Sequence, residues 1–173
     1  MRTGFFASAA IALSLLSCVG LSGAALAAPE WNVILLEKVV DRTPDQTWAR
    51  IGPYCAIATW LKVTCAITSG NQLSVGTNRR LNGKTDEIIV AQTPYSYTYG
   101  QQPSDVQPAS PIYYHGTLAV EPLDRGRKTK IVYTLLYDQA PLGTAEAKIA
   151  NREQRTKRFS EALDNMKAMA EAQ

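Results

Sequence analysis

The chain has 173 residues, 46% of them hydrophobic and 19% charged, with a formal net charge of +3. That balance excludes a disordered polyelectrolyte, and the lack of any block of like charge argues against a nucleic-acid binder. With one histidine and three cysteines, no group of residues has metal-ligand spacing, so neither a metal nor a cofactor is expected.

The first 28 residues read as an export leader and not as fold. Arg2 gives a positive start, 5–16 is an apolar run, and Ala25-Leu26-Ala27 is a small-x-small cleavage site. Cleavage after Ala27 or Ala28 would leave one periplasmic or secreted domain over 29–173. Arg2 is the leader's only charge, so that domain carries +2, and it has no run long enough to span a bilayer. Two alternatives are an uncleaved anchor helix and a lipoprotein box ending at Cys18. The apolar, small residues of 19–28 speak against the second.

Trp31–Val40 is an apolar, β-branched run and reads as the first strand. Thr43, Pro44 and Gln46 then form a helix start, with Thr43 as N-cap, proline at the first helical position and a capping-box glutamine. Gly52-Pro53 ends that helix, and a second short one follows over 55–61. Cys55 and Cys65 are the cysteines left after processing. In an exported protein such a pair suggests a disulfide, the alternative being two buried free thiols.

From Val63 the period changes to two, and strands are expected at 63–68, 75–81, 87–92, 95–99, 112–121 and 129–137. Asn82-Gly83 is a hairpin signal, and 124–127 (DRGR) is another. Short connections favour an antiparallel meander. The stretch 101–111, with prolines at 103, 108 and 111, is the longest loop and a candidate rim for an opening.

Parity shows which sheet face is inside. Tyr114, Gly116, Leu118 and Val120 share one side, as do Tyr133, Leu135 and Tyr137, and as do Tyr97 and Tyr99. An inner face this rich in tyrosine needs partners for its hydroxyls. A pocket with water or a polar-tipped ligand would supply them, and cross-strand aromatic pairing is the alternative.

The last element spans 144–170, a helix of about 40 Å capped by Thr144. Phe159, Leu163 and Met166 make its C-terminal half a core face. Arg152 and Thr156 put polar groups on the same stripe one turn and more earlier. That combination suggests a helix packed at one end and roofing a hollow at the other. Arg152 either faces that hollow or reaches solvent at the helix edge.

The segments 42–48 (RTPDQTW), 58–61 (ATWL), 75–81 (VGTNRRL), 95–97 (YSY) and 116–122 (GTLAVEP) resemble, in order and spacing, the SRPBCC or START-like (Bet v 1-like) superfamily. Within it they look like the polyketide cyclase/dehydrase and lipid-transport group. The resemblance implies an α+β helix-grip fold, with a seven-stranded curved antiparallel sheet around a long C-terminal helix and two short helices after the first strand. It also implies an elongated apolar cavity and ligands such as lipids, sterols, hormones or polyketides. An export leader departs from most such relatives, which are cytoplasmic.

No catalytic constellation is evident. His115 falls on the outer face of its strand, and Glu87 reads as a solvent-facing residue beside the Lys84 turn, an inward, pKa-raised carboxyl being the alternative. The leading expectation is therefore an exported, non-catalytic carrier of a small lipophilic molecule with a polar or acidic end. Its contact residues would be Trp60, Tyr97, Tyr99, Tyr114, Leu118, Tyr133, Leu135, Arg152, Phe159 and Leu163. The alternative is a cyclase or dehydratase using pocket tyrosines with Glu87. An envelope partner protein would need an exposed apolar patch that the sequence does not single out. Oligomeric state is not legible.

Overall fold

A computed structural model describes residues 28–101, 103, 105 and 112–172. The leader, with Arg2, Cys18 and the cleavage site, lies outside the described residues, as do Pro108 and Pro111 of the long loop. Seven strands form one antiparallel sheet: β1 (Trp31–Val40), β2 (Cys65–Ser69), β3 (Asn78–Leu81), β4 (Thr85–Thr93), β5 (Ser96–Gln101), β6 (Tyr114–Leu123) and β7 (Lys128–Asp138). Their spatial order is β1-β7-β6-β5-β4-β3-β2, so β2 to β7 are a meander and β1 closes one edge beside β7. Helices α1 (Pro44–Ile51) and α2 (Ile57–Trp60) lie between β1 and β2, and α3 (Ala145–Glu171) crosses the inner face. This is the α+β helix-grip architecture.

Local chemistry explains the boundaries. Thr43 accepts from the Gln46 backbone N–H while the Gln46 side chain accepts from the Thr43 N–H, the reciprocal box that starts α1. Asn82 and Gly83 turn β3 into β4 with φ of 50° and 70°, conformations that asparagine and glycine tolerate best. β3 begins three residues later than the alternation suggests. Gly76, at φ 89°, bends the chain, its N–H bonds to Ile89 O at 2.8 Å, and Val75 is left exposed.

The core lies between α3 and the sheet. Phe159, Ala162, Leu163, Met166 and Ala170 are buried, whereas residues before Phe159 on α3 are exposed or half-buried. Each large apolar side chain of that set contributes about 1.5–3 kcal/mol by leaving water. Opposite them the inner face holds Tyr97, Tyr99, Leu118, Tyr133 and Leu135. A Cβ at Gly116 would stand 2.5 Å from the Tyr99 ring, so the missing side chain is what lets that tyrosine lie across β6. The outer face is less polar than expected: Trp31, Val33, Leu35 and Val39 of β1 and Leu136 of β7 are exposed.

Cys55 and Cys65 are joined as a disulfide with Cα atoms 5.5 Å apart. The bridge closes the short loop that contains α2 and ties it to the start of β2. Replacing both cysteines by serine is expected to remove ~2–3 kcal/mol of stability by freeing the unfolded chain. Denaturant titrations of the oxidised protein and the double variant measure this, and coincident midpoints would refute it.

Candidate functional site

A half-open hollow of ≈ 210 Å³ sits under the polar half of α3. Four segments build it. Ile57, Leu61 and Val63, held by the disulfide loop, form one wall. The β3–β4 hairpin adds Leu81, Asn82, Thr85 and Glu87. Tyr99 and Gln101 at the end of β5 and Tyr114 at the start of β6 form the floor, and Arg155, Arg158 and Phe159 of α3 the roof. The opening is therefore at the sheet end where β5 leaves and β6 enters. Between them in sequence, Asp105 pairs with Arg80 at 2.7 Å.

Beneath the floor is a buried ion pair. Arg79 is fully buried, and its Nε and Nη2 both reach Glu87 Oε2, at 2.8 and 2.6 Å. Its Nη1 donates to Tyr54 O at 2.6 Å, and its guanidinium lies 4.0 Å from the Tyr54 ring centre and 4.6 Å from that of Tyr99. Burial works against the Arg79 charge, but Glu87 and the surrounding tyrosines outweigh it and the pKa rises. Burial pushes the Glu87 carboxyl up, with Arg79 pulling it back. Glu87 is thus 4% exposed, which corrects the expectation that it faces solvent. The reason is register: Arg79 stands directly opposite Glu87 across the hairpin, on the face shared with Leu81.

Three of the buried tyrosine hydroxyls bond one another, while those of Tyr54, Tyr97 and Tyr137 find no hydrogen-bond partner among the described residues. Tyr99 Oη bonds Tyr114 Oη at 3.1 Å and also Tyr133 Oη. Burial raises the pKa of all three, so they are neutral donors and acceptors at ordinary pH. Arg155 lies over the Tyr137 and Tyr114 rings, 4.6 and 5.3 Å from their centres, with its Nε on Asn151. Among the described residues, no carboxylate stands within ion-pair range of Arg155 or Arg158.

Of the ten contact residues expected from sequence, Tyr99, Tyr114 and Phe159 line the hollow. Trp60, Tyr97, Leu118, Tyr133, Leu135 and Leu163 are at most 1% exposed and form core. Tyr133 stacks on Phe159 at 4.9 Å, Trp60 meets Tyr133 edge-on at 5.9 Å, and Tyr97 meets Tyr54 at 5.3 Å. The space expected for an elongated apolar cavity is filled by these rings, and no tail fits among Leu118, Tyr133, Phe159 and Leu163. Arg152 is also corrected: it is exposed and bonds Asn32 and Val33 O on β1, away from the hollow. Its role at the roof falls to Arg155 and Arg158, three and six residues on. Helical spacing offered both, and only the direction of α3 across the sheet separates them from Arg152. The Arg79–Glu87 pair did have a signal, since a turn centred on Gly83 places opposite charges face to face.

Among solved structures, a protein of Nitrosospira multiformis matches with a TM-score of 0.60 at 23% identity, covering 79% of this chain and 94% of that one. A solution structure from Thermobifida fusca gives 0.65 at 16%, covering 78% and 90%. The crystal structure of Ara h 8.0201 gives 0.55 at 15%, covering 79% and 98%. At such identities the likeness is one of fold. No curated protein matches the chain significantly. Residues 35–171 match the family described as polyketide cyclase / dehydrase and lipid transport, from β1 through the end of α3. The chain belongs to that family, within the SRPBCC superfamily whose helix grip its sheet and long helix display.

Proposed function

We propose that this protein is an exported carrier for a small lipophilic molecule with an acidic end, held in the hollow under α3 and not transformed there. The carrying observation is the pair of guanidinium groups, Arg155 and Arg158, set over an aromatic floor and, among the described residues, in ion-pair contact with no carboxylate, the nearby Glu87 being paired with Arg79. The volume is below the about 300–1,000 Å³ of drug-sized pockets, so the guest is compact or enters only in part. Export is supported by the leader-like N-terminal sequence and by the disulfide, which suits an oxidising compartment.

Protein purified from its native compartment should carry apolar, acid-bearing material in native mass spectra. Persistently empty protein that also takes up no apolar probe would overturn the reading. Arg155→Ala should weaken octanoate relative to octanamide by ~1–2 kcal/mol, the value of a partly sheltered charge-assisted bond. Arg152→Ala should leave that ratio unchanged. Calorimetric titration of both probes reads the difference, and equal losses for acid and amide would refute it.

One observation favours a second reading, a cyclase or dehydratase for polyketide-like substrates: Glu87 shares the hollow with Tyr99 and Tyr114. Against it, Glu87 is engaged by Arg79, and the phenols are held neutral by burial. Loss of water from a linear poly-β-ketone on incubation, followed by mass spectrometry, would favour the enzyme.

A further inference from the structure

The hollow holds a polar atom that the protein leaves unused. The Arg79 Nε hydrogen bond and the Nη2 ion-pair contact both fall on Glu87 Oε2. Glu87 Oε1 accepts none among the described residues, although the side chain is only 5% exposed and lines the hollow. A carboxylate oxygen that faces the hollow gives up its water when a guest enters, and a guest's O–H is what such an atom then recognises. The neighbouring phenols do not fill this role: the Tyr99 hydroxyl is committed to Tyr114 and Tyr133. The roof presents Arg155 and Arg158, so the same hollow offers both an acceptor and cations. The walls are aromatic and aliphatic: Tyr114 and Phe159 on one side, Ile57 and Leu61 on the other.

We propose that the guest is a compact, largely flat acid that also carries a hydroxyl group, the hydroxyl donating to Glu87 Oε1 and the acid meeting Arg155 and Arg158. This rests on the carrier reading above and narrows its ligand class. A guest with a plain hydrocarbon tail would bury Oε1 without a partner, so the site selects against simple fatty acids. A guest with an ether in place of the hydroxyl would set an oxygen against an oxygen and be excluded for the same reason.

The test uses the unaltered protein and four probes in calorimetric titration: 4-hydroxycinnamate, cinnamate, 4-methoxycinnamate and 4-hydroxycinnamamide. The hydroxy acid is expected to bind at least tenfold more tightly than each of the other three. Equal affinity for 4-hydroxycinnamate, cinnamate and 4-methoxycinnamate, with the amide weaker, would overturn the hydroxyl assignment while leaving the acid-binding carrier intact. Equal affinity for the hydroxy acid and its amide would overturn the placement of the charge at the roof. Binding of none of these, nor of octanoate, would remove the carrier reading itself.

Discussion

Replacing Arg79 by alanine is expected to destabilise the fold by about 3–5 kcal/mol, a large part of the about 5–15 kcal/mol that holds a domain together. Among the described residues the guanidinium is the partner of Glu87 Oε2, the donor to Tyr54 O, and the cation between the Tyr54 and Tyr99 rings. Its loss leaves a buried carboxylate without a counter-charge, a buried carbonyl without a donor, and a void beneath the hollow. The ion pair itself need not be worth so much. Two charges taken from water recover their desolvation only through good geometry, so an apolar replacement of both partners is often neutral. The double variant Arg79→Met with Glu87→Leu should therefore regain most of the stability lost in Arg79→Ala. Chemical denaturation of the three proteins measures it. A double variant as unstable as the single one would mean that the cation–π packing, not the orphaned carboxylate, dominates.

Alkali should unfold this protein abruptly near pH 11, well before most of its tyrosines have ionised. Burial raises the phenol pKa of Tyr54, Tyr97, Tyr99, Tyr114 and Tyr133 above the ordinary value. In the unfolded chain each titrates near 10. Above that pH the unfolded state loses protons that the folded state retains, so folding stability is complete below about pH 10 and falls as the pH rises towards the folded pKa values. Each such tyrosine contributes a slope of about 1.4 kcal/mol per pH unit, and five of them remove roughly 7 kcal/mol by pH 11. Phenolate absorbance near 295 nm should lag behind free tyrosine and then rise together with the loss of circular dichroism. A gradual rise centred on pH 10 with the fold intact would contradict it, showing that water reaches the tyrosine cluster.

The two results bear on the same question, which is how much of the helix grip's interior is open. Tyr133, Trp60 and Tyr97 occupy the volume where a larger guest would lie, and the Tyr99 ring takes the space that Gly116 leaves free. What stays accessible is the end of the sheet where α3 turns polar, and its chemistry is set by charged groups more than by apolar area.

The elements were legible in the sequence because each is dictated by short-range chemistry. Thr43, Pro44 and Gln46 cap α1 through bonds three residues apart, Asn82-Gly83 accepts the left-handed conformation a tight hairpin needs, and period two marks the inner faces of β5, β6 and β7. The buried stripe Phe159, Leu163 and Met166 follows from 3.6 residues per turn in the same way. The site was legible only in part. Parity places Tyr99 and Tyr114 inside, yet says nothing of whether the interior between strands and helix is empty or filled. That depends on the summed volume of rings arriving from β5, β6, β7, α2 and α3, a property of the packing and of no single segment. Likewise Arg152, Arg155 and Arg158 are equivalent as helical residues. Which of them reaches the hollow is decided by the angle at which α3 crosses the sheet, and the register across the β3–β4 turn decides that Glu87 meets Arg79 and not water.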